Sequence, residues 1–171
     1  MKNKRITIFE TAYREDPSRL TTSNTDTLWL PLVKSKTTES TLGINQDGDW
    51  VVEVSGDVRI IREQKSFLFC IVFLEMSFAD IKNYIMDHTN GINQIADIGD
   101  IFPFVEIIRF VLETSTSDYW LELAMNWFNE LNAAEKHVLT PALDEAVMGM
   151  YLHQKLKHRM QRELKKLKVS T

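Results

Sequence analysis

The side chains able to do chemistry are four histidines, one cysteine, several groups of acids and a cationic C-terminal stretch. His153 and His158 are five residues apart, which on a helix is about 140°, so one helix face cannot bring both to a metal. No HExxH, HxH or CxxC spacing occurs, and zinc sites favour short spacings of that kind. His88 and His137 stand alone, and solvated or helix-terminal roles fit all four. Cys70 lies inside the apolar run FLFCIVFL. It has no cysteine to pair with and no nearby base, so it reads as a buried small hydrophobe.

The acids are clustered in three places. Asn45-Gln46-Asp47-Gly48-Asp49 resembles the start of a calcium loop. Counted from Asn45, however, Trp50 stands where the turn glycine belongs and Gly56 where the bidentate glutamate belongs. A hairpin turn explains these residues better. Asp87-His88, Asp97 and Asp100 surround a glycine-bearing loop and could supply paired carboxylates for acid–base work. Capping is the simpler role for Asp97 and Asp100. Glu106, Arg109 and Glu113 share one helical stripe and suit ion pairs worth a few tenths of a kcal/mol each, about the usual helix-surface value. No glycine-rich phosphate loop and no GxSxG elbow is present. The sequence therefore implies no cofactor, no metal and no catalytic residue set.

The cationic stretch is the most distinctive feature. From Lys155 to Lys168 seven Lys or Arg stand against one acid, a charge of +6. With −4 for the whole chain, the remainder carries −10. At about 100° per residue, Lys155, Arg159, Arg162 and Lys166 fall within roughly 60° of one another. Leu156, Met160, Leu164 and Leu167 form an apolar stripe beside them. These eight residues are the candidate partner-binding surface, fitting a protein partner or, as an alternative, phosphates of a nucleic acid. The acidic remainder disfavours non-specific nucleic-acid binding, and the apolar stripe lacks the aromatic anchors of a membrane-surface helix.

The elements that would position these residues follow from periodicity. Arg5–Glu10 alternates with period two and predicts a first strand. Residues 11–27 read as a long polar loop, unusual in a compact domain and suited to contact. Leu28–Val33 contains Pro31 and fits an edge strand. Asp47-Gly48 predicts a type I′ hairpin. Ser55-Gly56-Asp57 and Glu63–Lys65 provide two more turns, the second leading into Phe67–Leu74 as a central strand apolar on both faces.

The period then changes to that of helices. Ser77–Asp80 has the form of a capping box opening a helix that Asn90-Gly91 ends. Two strongly apolar helices are predicted over about 101–113 and 117–131. Asn132–Glu135 opens a short helix, and Thr140-Pro141 starts a final one running to Lys168. Such a helix would be ~42 Å long. Its apolar residues point one way through Leu143, Val147, Met150 and Tyr151. From Leu152 onward they point about 110–120° away, which requires a bend near Gly149 or a second packing surface.

The expected fold class is therefore α+β: an N-terminal antiparallel β-meander of about four to six strands, then about four to five helices packed on it. A strand-rich part (1–76) and a helical part (77–168) would form a single domain, with 155–171 protruding as a docking element that could be deleted without loss of the fold. The apolar fraction of 44% supports a sizeable core. The longest apolar run is far below the ~20 residues that span a bilayer. The N-terminus lacks the apolar core of a signal peptide, so a soluble, cytoplasmic protein is expected. The leading functional expectation is a non-enzymatic protein-interaction module, such as an inhibitor, an immunity-type protein or an accessory subunit, whose partner could also be a second copy. Nucleic-acid association through the basic helix is the alternative, and an enzyme with a site gathered from distant segments the third.

Overall fold

The computed structural model describes residues 2–24, 26–88, 98–149 and 152–169. Its chain divides into two compact units, Met1–Pro103 and Phe104–Thr171. The first holds a five-stranded antiparallel meander in the order β1-β2-β3-β4-β5. The strands are β1 (Thr21–Thr22), β2 (Leu28–Lys34), β3 (Thr41–Asn45), β4 (Trp50–Val54) and β5 (Asp57–Ile61). With helices following the sheet, the fold class is α+β, as composition and periodicity imply.

Two of the expected strands are helices. Arg5–Glu10 belongs to α1 (Lys2–Glu15), where, among the described side chains, Arg5, Ile8, Phe9 and Ala12 are buried. Their spacing of i, i+3, i+4 and i+7 is a helical stripe. The short alternation of β-branched side chains was too local a signal, and burial against the sheet overrode propensity. The remainder of the expected 11–27 loop contains the end of α1, a 3-10 turn at Pro17–Arg19 and β1.

Phe67–Leu74 lies within a 3-10 helix, Gln64–Glu75, instead of a central strand. A 3-10 helix has three residues per turn, so side chains three apart share one edge. Phe67, Cys70, Phe73 and Met76 follow that spacing and are all buried. Leu68, on another edge, is 53% exposed. An unbroken apolar run cannot by its period distinguish a strand from a buried helix.

The turns also differ in detail. Gly48 has a positive φ (72°), but Asp47 does not, so Asp47-Gly48 is not a type I′ turn. Instead Gly48 N donates to Asn45 O at 3.0 Å, and Asn45 Oδ1 accepts from the amides of Asp47 (3.0 Å) and Asp49 (2.9 Å). The positive-φ pair is Ser55 (52°) and Gly56 (86°), closing the two-residue loop between Val54 and Asp57. Pro31 sits opposite Gly43, next to a register shift on the way to Val33. β1 pairs only with Leu28 and Trp29, so Pro31 lies where that side of β2 has no sheet neighbour. Gly43 is required there: a Cβ would stand 2.1 Å from Leu30 O and 2.8 Å from Trp29 Cε3.

The first unit is tied together at Trp50. Its indole Nε1 donates to Ile101 O (2.8 Å), and its ring packs edge-on against Phe67 at 6.1 Å. The Arg5 guanidinium lies over the same ring, 3.8 Å from its centre. Arg5 Nε also donates to Gly48 O at 2.7 Å. Lys4 of α1 pairs with Asp100, in the short helix α3 (Ile98–Ile101). Between the 3-10 helix and α3, α2 (Phe78–His88) packs on β2, and its Ile81 and Ile85 are fully buried. Ser77 caps α2 as expected, its Oγ accepting from Asp80 N at 3.0 Å. The expected helix stop at Asn90-Gly91 lies outside the described residues.

The second unit is helical: α4 (Phe104–Thr114), α5 (Asp118–Glu130), α6 (Ala133–Val138), α7 (Thr140–Met148) and α8 (Gln154–Val169). In α5, Glu122, Asn126, Asn129 and Glu130 are exposed around buried Leu121, Ala124, Met125, Trp127 and Phe128, and Tyr119 is exposed as well at 54%. Phe104 and Trp127 pack edge-to-face at 5.3 Å and join α4 to α5. Asn132 and Glu135 form a reciprocal capping box at the start of α6.

Candidate functional site

The predicted final helix is two helices. α7 stops at Gly149, whose φ of −57° and ψ of 134° leave the helical region. Glycine is a weak helix former, so the chain breaks where two incompatible apolar stripes would otherwise share one axis. Met150 and Tyr151, expected in the first stripe, lie outside the described residues. α8 starts afresh after His153, whose amide donates to Asp118 Oδ1 at 3.3 Å.

Breaking the helix lets α8 fold back onto α7 and α5. Leu156, Met160 and Leu164 are 2%, 0% and 7% exposed, and they form its inward stripe. Leu167, in the same angular range near the C-terminal end of α8, is half-buried. Through Leu156, Met160 and Leu164, α8 packs into the second unit instead of protruding from it, and deleting residues 155–169 would expose apolar surface there. Of the eight residues proposed for docking, the three buried ones have no surface to offer a partner in this arrangement.

The cations divide as well. Arg159 Nη2 donates to Met125 O (3.0 Å) and Asn126 Oδ1 (2.9 Å), which pins α8 to α5. Lys168 pairs with Asp144 of α7 at 3.1 Å, and Lys166 with Glu163 at 2.7 Å. Lys155, Arg162 and Lys165 are exposed and have no ion-pair or hydrogen-bond partner among the described residues. Exposed His158 stands beside them. By helical geometry these four fall within about 80°, opposite the inward stripe. Arg159 was thus taken from the expected basic stripe for structural use, while His158 and Lys165 were the members that spacing alone left out. The signal that finds them is the direction of burial, since the solvent face is centred opposite Met160.

The other chemical candidates are separated. Asn45 is buried and caps its own turn, and Asp49 accepts from Arg62 at 3.3 Å, which accounts for the calcium-like residues. Asp87 is exposed, Asp100 is held by Lys4, and Asp97 and the His88 side chain lie outside the described residues. Glu106 and Arg109 are half-buried and Glu113 is exposed. Arg109 has no ion-pair partner among the described residues, so the expected charge ladder does not form. His137 is exposed on α6, away in sequence and element from His153 and His158. Among the described residues, no group of three or more His, Cys, Asp or Glu side chains is arranged to hold a metal ion. Burial pushes the Cys70 thiol well above its ordinary pKa, so the thiolate is suppressed.

Among the described residues no helix is long and apolar enough to cross a membrane. No family model matches the chain, and neither a curated protein nor a solved structure matches it significantly.

Proposed function

We propose that this chain is a non-enzymatic interaction module whose docking element is the outer face of α8, and whose partner is a protein presenting a compact acidic surface. The observation that carries the reading is the set Lys155, His158, Arg162 and Lys165: exposed, close in angle, and without charge partners among the described residues. A helix end stabilised by its own dipole explains cations in the last turn. It does not explain Lys155 and His158, which stand in the first turns of α8. The apolar part of the originally expected surface is occupied in packing α8, so recognition through this face is electrostatic. It would accelerate encounter and set specificity more than supply affinity.

A protein partner is favoured over nucleic acid by the charge of the remainder. With −10 outside residues 155–168, a long polyanion lying across the module meets repulsion beyond α8, whereas a discrete acidic patch does not. From Lys155 to Lys165 the face is about 15 Å long, enough for a small patch.

The test is fluorescence anisotropy with a labelled poly-glutamate peptide and a single-stranded oligonucleotide of equal charge. The variant for comparison is Lys155→Gln/Arg162→Gln/Lys165→Gln. Peptide binding that weakens between about 50 and about 200 mM salt and vanishes in the variant supports the reading. Stronger oligonucleotide binding, lost in the same variant, supports the nucleic-acid alternative. Binding of neither probe at low salt, or binding indifferent to the three substitutions, refutes a role for this face.

A further inference from the structure

The first unit contains a cleft that the proposed docking face does not use. It has a volume of about 400 Å³ and is lined by Phe9, Glu10, Tyr13 and Arg14 of α1, with Leu28 and Gln46 opposite. That volume falls in the roughly 300–1,000 Å³ range of small-molecule pockets. Its two walls have different origins. On the helix, Phe9 and Tyr13 are one turn apart, and so are Glu10 and Arg14. These make an aromatic column beside a charged column. On the sheet, Leu28 and Gln46 are the next residues beyond the Trp29–Asn45 pair, at the open end of the β2–β3 ladder.

The charged column is unusual in one respect. Glu followed by Arg at i+4 is the favoured order for a helix-surface ion pair. Here no such pair forms. Arg14 Nε is instead turned onto the main-chain carbonyl of Glu10 at 3.4 Å, a long contact. Among the described residues neither the Glu10 carboxylate nor the Arg14 Nη groups have a partner. One free anion and one free cation therefore flank the same cleft, about one helical turn apart. Phe9 is 5% exposed and Tyr13 53%, so an apolar floor and a rim that can cover a ligand lie alongside.

We infer that this cleft binds a small zwitterion, an α-amino acid with a large apolar or aromatic side chain. Its ammonium pairs with Glu10, and its carboxylate takes the two Nη groups of Arg14, the geometry that makes guanidinium the preferred carboxylate partner. Its side chain packs on Phe9 and Leu28 beneath Tyr13. The Gln46 amide supplies a further donor and acceptor at the sheet wall. A ligand carrying only one charge leaves the other member of the column to water and forfeits one charge-assisted contact.

The experiment titrates the full-length protein with L-phenylalanine and follows amide chemical shifts. Phenethylamine, which lacks the carboxylate, and 3-phenylpropionate, which lacks the amine, serve as single-charge analogues. Glu10→Gln and Arg14→Gln are the variants, both at exposed positions, with circular dichroism confirming their fold. Phenylalanine is expected to shift amides of α1 and of residues 28 and 46, and each analogue to bind about tenfold more weakly, the loss of one charge-assisted hydrogen bond. Glu10→Gln should weaken phenylalanine by a similar factor yet leave 3-phenylpropionate unchanged, with the reverse pattern for Arg14→Gln and phenethylamine. The inference is overturned by absence of shifts at about 10 mM phenylalanine, by shifts confined to other residues, or by analogues that bind as well as the zwitterion.

Discussion

Arg5→Ala is the most informative single substitution in the first unit, because one buried side chain holds three segments together. The Arg5 residue is 7% exposed, donates to Gly48 O at 2.7 Å and covers Trp50 at 3.8 Å. A hydrogen bond from a charged donor contributes about 1.5–3 kcal/mol. A desolvated cation over tryptophan adds about 2 kcal/mol. Removing the guanidinium also removes its own desolvation and ordering costs, so the expected net loss is about 3 kcal/mol. Arg5→Lys keeps the charge but not the planar group that both donates and stacks, and should recover less than half of that loss. Urea denaturation gives the magnitude. Hydrogen exchange at the β3 and β4 amides is needed too, because two units need not unfold in one step. The Arg5→Ala/Trp50→Leu double-mutant cycle, which removes the ring altogether, isolates the stacking contribution, expected at about 1 kcal/mol of coupling. A loss below about 0.5 kcal/mol for Arg5→Ala, the range of ordinary surface changes, would show that the cluster is not holding the unit together.

Three other outcomes are expected. Gly43→Ala forces a Cβ to within 2.1 Å of a backbone oxygen, so β2 and β3 must separate. A loss of about 3 kcal/mol or more, the upper end of overpacking costs, should appear as a lowered Tm. In the second unit, Met160→Ala should cost about 2–5 kcal/mol, while Lys155→Gln, Arg162→Gln and Lys165→Gln each stay within about 0.5 kcal/mol. Thermal melts of the four variants separate the packing face of α8 from its free face. Finally, the Asp80 carboxyl is held below its ordinary pKa, first by its contact with Lys36 at 2.9 Å and then by Ser77. A depressed folded-state pKa contributes stability that is present above the ordinary carboxylate range and lost as pH falls through the folded value. NMR titration should therefore find Asp80 protonating below the ordinary aspartate range, and Lys36→Gln should raise the Asp80 midpoint.

Helix starts were legible in the sequence because their cause is local, although the equally local Asp47-Gly48 turn was not. Ser77 and Asn132 were readable as helix starts because a cap needs only a short side chain and an amide three residues on. The apolar faces of α4 and α5 were readable because many turns repeat one pattern. Tertiary contact decided the elements whose residues suit two states. Arg5–Glu10 could be strand or helix until Ala12 and Phe9 were buried along with Ile8. The apolar run at Phe67–Leu74 took a three-residue period only because its Phe67–Cys70–Phe73 edge packs inward.

The C-terminal stretch joins both lessons. Composition and 3.6-residue geometry suffice to make residues 155–168 a helix with one cationic and one apolar stripe. The sequence also contained the conflict at Gly149, readable as two stripes that no straight helix can satisfy. Which stripe faces solvent was decided by folding: α8 turns back on α5 and α7, buries Met160 completely and spends Arg159 on the Met125 carbonyl. Burying apolar surface is favourable in proportion to its area and has no direction along the chain, so the partner of an amphipathic helix depends on what else the fold brings near it. The same dependence governs the cleft at Glu10 and Arg14. Their charges were visible from the start, but their shared wall exists only because α1 is a helix laid beside the end of β2 and β3.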